Sequence, residues 1–296
     1  MDLSYKKCTL CARRCAINRE LSERGFCKMT DSVTIARAAL HNWEEPVISG
    51  TRGSGTVFFS GCSLGCVFCQ NREISGGEKG TSISKERLAE IMLSLKAQGA
   101  HNINLVTPTH FAPSIKDAIL IAKKEGLDIP IVYNTSSYDS VKTLKELDGV
   151  VDVYLPDFKY YTEKSAKKLC FAEDYPDVAR RAIAEMVRQR PSPKFEDGIM
   201  TTGVMVRILL LPSHVAEAKL TLKYLYETYG DSIYISLMNQ YTPMPNMSPP
   251  LDRRVTRIEY YDLLAYTEKL GVKNGFTQEF GTATEAFIPK FDNTGI

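Results

Sequence analysis

Cys62, Cys66 and Cys69 lie within the run Gly61-Cys62-Ser63-Leu64-Gly65-Cys66-Val67-Phe68-Cys69-Gln70-Asn71, spaced C-x3-C-x2-C. Soft thiolates at this density suit iron–sulfur chemistry, and three on one short loop can hold three corners of an iron–sulfur cube. Gly61 and Gly65 let the backbone wrap a bulky group closely. No fourth cysteine is near, so one iron would keep an open position for a substrate or cofactor, the feature that separates catalytic from structural metal sites. A second group, Cys8, Cys11, Cys15 and Cys27, has the count of a closed site and suits either structural zinc or an auxiliary iron–sulfur cluster. Arg13, Arg14, Arg19 and Lys28 stand among those four and would offset thiolate charge. The eighth cysteine, Cys170, falls in a helix-like stretch and reads as a packed apolar residue.

The elements that must position these residues follow from pattern. Thr56–Ser60 reads as a buried strand ending at Gly61. Ser84 caps a helix in which Leu88, Ile91, Met92 and Leu95 recur at helical spacing. Further strands are expected at 102–106, 129–133, 150–155, 204–211 and 233–238, with helices opening at Pro113, near Ser140, at 178–189, 215–229 and 253–270. Residues 191–198 read as a polar loop, and 241–250 as a Pro-rich loop after the last strand. Strands alternating with helices imply βαβ units and a parallel sheet. Six strands point to an α/β fold, a partial (β/α)6 TIM-like barrel, with a doubly wound open sheet as the alternative; functional residues should gather at the C-terminal strand ends. The expected division is a cysteine-rich metal-binding segment (1–50), the barrel (51–245) and a C-terminal helix and extension (246–296). Trp43 and Pro46 would dock the first segment on the barrel.

The 296 residues are 44% hydrophobic and 24% charged with a net charge of +2. That balance gives no footprint for nucleic acid. No apolar run approaches a membrane span, and no secretory signal is readable, so a cytoplasmic protein is expected. Disulfides do not suit such a chain.

The three-cysteine motif, with Phe68 just before the third ligand, resembles that of the radical S-adenosylmethionine (SAM) enzymes. The resemblance covers roughly residues 51–245 and implies the same partial barrel. It also implies a 4Fe–4S cluster whose open iron chelates SAM. An electron from the cluster then cleaves the sulfonium, and the 5′-deoxyadenosyl radical so formed abstracts hydrogen from a substrate. More narrowly, Asn134-Thr135-Ser136-Ser137 and Leu155-Pro156-Asp157-Phe158-Lys159 are similar to segments of glycyl radical enzyme activases of the pyruvate formate-lyase type. The resemblance places Asn134 and Ser136 at the ribose and carboxylate side of SAM. It gives Lys159 to the carboxylate and puts Asp157 near a cation site. It also implies a protein or peptide substrate and an electron donor such as flavodoxin or ferredoxin.

The sequence departs from this family in two places. Many relatives carry Gly-Gly-Glu after the second strand. Here Gly76-Gly77-Glu78 comes too early and reads as a loop, while the second strand ends in Thr107-Pro108-Thr109-His110. Thr107 and Thr109 are therefore assigned the amino group of SAM. No histidine follows the sixth strand, where Asn239-Gln240-Tyr241 stands instead. His110 and His214 follow strand ends but read as structural residues. Arg207, inside a strand, would need an anionic partner such as the cofactor carboxylate. Hydrogen abstraction from another peptide or a small molecule is the second enzymatic reading, and an iron–sulfur electron carrier or sensor is the non-enzymatic one.

Overall fold

The computed structural model describes residues 3–280 and 289–296. Its strands are β1 (Val33–His41), β2 (Ser54–Phe59), β3 (Thr81–Ile83), β4 (Ile103–Val106), β5 (Ile131–Thr135), β6 (Val153–Pro156), β7 (Lys194–Glu196), β8 (Ile199–Leu209), β9 (Tyr234–Met238) and β10 (Gly275–Thr277). The helices are α1 (Pro46–Ser49), α2 (Arg72–Ser75), α3 (Lys85–Ala97), α4 (Ala112–Lys124), α5 (Val141–Glu146), α6 (Glu163–Cys170), α7 (Tyr175–Gln189), α8 (Val215–Tyr229) and α9 (Arg257–Leu270). Six strands, β2, β4, β5, β6, β8 and β9, run parallel and in chain order. They are the partial barrel expected from the alternation of elements.

The local signals explain most boundaries. Ser84 caps α3 by accepting from the Arg87 amide, and Leu88, Ala89, Ile91, Met92 and Leu95 are buried. Thr256 and Glu259 form a reciprocal capping box that fixes the start of α9. The helix around 178–189 begins earlier, at Tyr175, because Pro176 suits its first turn. Residues 191–198 are not wholly loop. β7 folds back on β8 across Asp197 and Gly198, whose φ values of +49° and +79° belong to a tight hairpin turn.

β1 and β3 extend the sheet antiparallel to β2 and to β1, and β10 extends it beyond β9. None of the three was expected. A register shift between Ile35 and Arg37 breaks the alternation of β1, and β3 and β10 are each three residues long. Residues 33–41 thus belong to the sheet. The end of the chain returns to the same strand, where Asn293 and Ala38 donate their amides to the carbonyls of Ala36 and Thr294.

Two large apolar clusters lie between the sheet and its helices, one around α3 and α4 and one around α5 to α8. The barrel interior is filled by alternate residues of the strands, Val132, Val153, Leu155 and Met205, together with Ile48 of α1 and Met200. Ile48, fully buried, docks the 42–50 segment; burying one such side chain contributes roughly 1.5–3 kcal/mol. Trp43 is 59% exposed and lines the cavity described below, and Pro46 is exposed. Cys170 is fully buried and donates its thiol to the Ala166 carbonyl at 3.1 Å, as a packed small residue should. Among the described residues no helix is long and apolar enough to cross a membrane.

Candidate active site

The three-cysteine loop leaves β2 at the C-terminal end of the sheet. Gly61 has φ +81°, and a Cβ there would come within 2.5 Å of the Cys27 carbonyl oxygen. Gly65, at φ +72°, packs against the Phe26 ring. The loop is tied down by Val67, whose amide donates to Leu169, and by Cys69, whose amide donates to Cys66. Cys62, Cys66 and Cys69 all face one cavity. The Leu64 amide donates to Cys62 Sγ at 3.4 Å, and the Tyr160 hydroxyl donates to Cys66 Sγ at 3.5 Å. Burial pushes the Cys66 and Cys69 thiols up, while Lys159 opposes it at both. A coordinating cation would drive them to thiolates. Phe68 lines the same cavity and packs edge-on against Tyr160 and Tyr241.

The opposite wall is built from the ends of β4, β5, β6 and β8. Thr107, Asn134, Ser136, Asp157 and Lys159 all line the cavity. Parallel register accounts for this: Val106 pairs with Asn134, Asn134 with Leu155, and Asp157 bridges to Arg207. Thr109 is not part of the wall. The chain turns into a short helical turn at Thr109–Phe111, and the buried Thr109 hydroxyl donates instead to Asp139 at 2.7 Å. Asp139, buried, also accepts from Tyr133 at 2.9 Å and Thr135 at 2.6 Å. Burial raises its carboxyl despite these bonds.

A charged network crosses the floor of the cavity. Arg207 donates to Asp157 at 2.8 Å, to Glu44 at 3.1 Å and to Asn134 Oδ1 at 2.6 Å. Lys159 donates to Asp157 at 2.7 Å, and Asn134 donates to Glu44 at 3.2 Å. The anionic partners of Arg207 are therefore carboxylates of this chain. Burial alone would raise Asp157, but Arg207 and Lys159 outweigh it and hold its carboxyl below the usual range. Burial would likewise lower Lys159, yet Asp157 and Cys66 keep it raised. Glu44 and Glu45 are residues that sequence reasoning missed. Two adjacent acids before a proline carry no periodicity that says which way they point.

Glu45 is buried, and its Oε2 has no hydrogen-bond partner. Burial pushes both Glu44 and Glu45 upward, against the pull of Arg207. A raised folded value means the native state holds the proton more tightly than the unfolded chain. The stability it contributes is then present below the unfolded value of about 4.3 and lost as pH rises through the folded one. For the cofactor-free protein, Glu45→Gln is expected to flatten the fall in unfolding free energy as pH rises above the ordinary carboxylate range. The limiting slope is ~1.4 kcal/mol per pH unit for one group. Denaturant titrations of both proteins above that range test this; identical slopes would mean Glu45 does not titrate there.

The other candidates lie elsewhere. Gly76–Glu78 follow α2 outside the cavity, with Glu78 exposed. His214 begins α8 and bonds through Nδ1 to the Pro212 carbonyl at 2.7 Å. His110 is buried beside Cys8, Cys11, Cys15 and Cys27 and does not line the cavity.

The comparisons with known proteins agree with this arrangement. The radical SAM superfamily model matches residues 56–212. An uncharacterized protein of Methanocaldococcus jannaschii is 31% identical over 276 residues, covering 90% of this chain and 75% of that one. Among solved structures, Streptococcus suis SuiB bound to S-adenosylmethionine aligns with TM-score 0.52 at 14% identity, over 75% of this chain and 49% of SuiB. The hydrogenase maturase HydG from Carboxydothermus hydrogenoformans aligns with TM-score 0.54 at 13% identity, over 79% of this chain and 56% of HydG. This chain thus spans about half the length of those two proteins, and the likeness to them is one of fold. With the family model covering more than half of its residues and a relative matched along most of its length, the chain belongs to the radical SAM superfamily.

Proposed function

We propose that this chain cleaves SAM reductively at a 4Fe–4S cluster held by Cys62, Cys66 and Cys69, and directs the resulting radical at a glycine Cα–H of a partner protein. Family membership brings the cluster and SAM. The residues present fit both: three thiols and no fourth cysteine face a cavity whose other wall is polar and charged. That convergence is the observation that carries the reading. When bound, the pair supplies a 5′-deoxyadenosyl radical able to take a hydrogen atom.

The chain's own residues bind and orient. Thr107, at φ +61°, turns the backbone at the end of β4 and presents hydroxyl and carbonyl acceptors suited to an ammonium. Lys159 retains donors for a carboxylate beyond its bond to Asp157. Asn134 and Ser136 offer amide and hydroxyl groups to a ribose. Leu209, Met238, Tyr241 and Phe68 form an apolar flank that excludes water from a radical. A low-potential donor such as flavodoxin or ferredoxin would supply the electron.

The glycyl substrate rests on the similarity of the Asn134–Ser137 and Leu155–Lys159 segments to activases. A peptide substrate is also in keeping with SuiB, which has been solved bound to precursor peptide SuiA. The test is isotopic. Protein containing Cα-deuterated glycine, prepared from the source organism, is incubated anaerobically with the enzyme, SAM and dithionite. Deuterium in the released 5′-deoxyadenosine is the expected result, with a glycyl-radical EPR signal that is a doublet in unlabelled protein and collapses to a narrow line in the deuterated one. Undeuterated 5′-deoxyadenosine, with no glycyl-radical signal in labelled or unlabelled protein, would sink the activase reading. It would leave another peptide or a small molecule, which the position of Gly76–Glu78 outside the cavity favours as second choice.

A further inference from the structure

We infer that Cys8, Cys11, Cys15 and Cys27 hold a second iron–sulfur cluster whose negative charge is matched inside the protein by Arg19. The four cysteines line one enclosed space with Arg19 and His110. Gly25 is required there, since a Cβ would come within 2.7 Å of Cys15 Sγ.

The decisive residue is Arg19. It is fully buried, and its guanidinium donates only to neutral groups: the carbonyls of Met29, Thr30 and His110, and Cys8 Sγ at 3.8 Å. Among the described residues no carboxylate pairs with it. A buried guanidinium without an anion is strongly disfavoured. Metal-bound thiolates would supply that anion at the one polar contact, Cys8, that can acquire charge. His110 gives a second sign. Its Nε2 is bonded to the Ser60 carbonyl at 2.7 Å, while its buried Nδ1 has no partner.

Position favours a cluster over zinc, which has no redox chemistry: a Cβ at Gly61, beside Cys62, would meet the Cys27 carbonyl, so the four-cysteine group abuts the loop whose chemistry needs an electron. The two cysteine groups are also tied together. Arg13, stacked on Phe26 at 3.7 Å, donates to the carbonyls of Ser63 at 2.9 Å and Leu64 at 3.2 Å, between Cys62 and Cys66.

The experiment is anaerobic reconstitution of the full chain with iron and sulfide, read by metal analysis, Mössbauer spectroscopy and redox titration. About eight irons per chain are expected. The Cys8/Cys11/Cys15/Cys27→Ala variant and, separately, the Cys62/Cys66/Cys69→Ala variant should each fall about twofold, to about four. Arg19→Lys should keep both clusters. Arg19→Gln should lose half the iron or move one cluster to lower potential while the other stays. If the four-cysteine variant does not fold, the Cys62/Cys66/Cys69→Ala variant still decides, since a cluster spectrum in it belongs to the N-terminal thiols. One zinc with about four irons, or no cluster in that variant, overturns the inference without touching the reading of the first site.

Discussion

Replacing Cys62, Cys66 or Cys69 singly with alanine is expected to abolish 5′-deoxyadenosine formation. The three side chains share one loop, and no spare thiol can take over. Cys170 is engaged with the Ala166 carbonyl inside α6, and the N-terminal cysteines lie behind Gly61. A cube held by two thiolates would lose the geometry that leaves one iron open. The loss should exceed the roughly 10–100-fold that removal of an outer partner of a metal ligand produces. Anaerobic chromatography of reaction mixtures measures it, with Cys170→Ala as a control that keeps activity. Cleavage persisting in all three variants would remove the basis for the proposed chemistry.

The second large effect concerns stability. Arg207→Met should destabilise the protein by about 3–5 kcal/mol, because it leaves the Asp157 and Glu44 carboxylates in the barrel interior without their guanidinium. At roughly 2–4 °C per kcal/mol, the thermal midpoint should fall by ~10 °C. Glu44→Gln and Asp157→Asn added to Arg207→Met remove the stranded charges. The triple variant should therefore regain most of the loss, a coupling that a mutant cycle resolves. If the triple variant is no more stable than Arg207→Met, the effect is one of packing and not of charge. SAM binding by isothermal calorimetry gives an independent readout, since Lys159 and Asn134 share the same network.

Local signals made the parallel core legible. Ser84 with its apolar spacing gave α3, and the alternation of apolar and amphipathic runs gave the six parallel strands. The cysteine spacing gave the loop at the end of β2. What could not be read depended on contacts far apart in the chain. Thr109 resembled Thr107 as a hydroxyl after a strand, but Asp139, thirty residues on, takes its hydroxyl. Glu44 became part of the cavity only through Arg207, 163 residues away. Ile48, one apolar residue among several near Pro46, could not be singled out, yet α1 turns it into the barrel. β1 was hidden by a bulge, since a register shift moves successive side chains to opposite faces.

The turn after β5 joins two parts of the molecule. Thr135 and Ser136 face the cavity, while Cys11 bridges to Asp139 and the Ala12 amide donates to Tyr138. The Leu10 carbonyl accepts from Ser140 and from Thr143. This ordering in space runs against the ordering of synthesis. Leu10, Cys11 and Ala12 leave the ribosome well over a hundred residues before the 138–143 surface on which they dock, about 6–26 s ahead at ordinary elongation rates. During that interval the four thiols belong to a segment that lacks its contacts to residues 138–143, and they are more open to oxidation and to metal. The nascent chain thus offers these thiols to metal or to a protecting factor before Cys11 pairs with Asp139, in addition to the access that the folded chain gives.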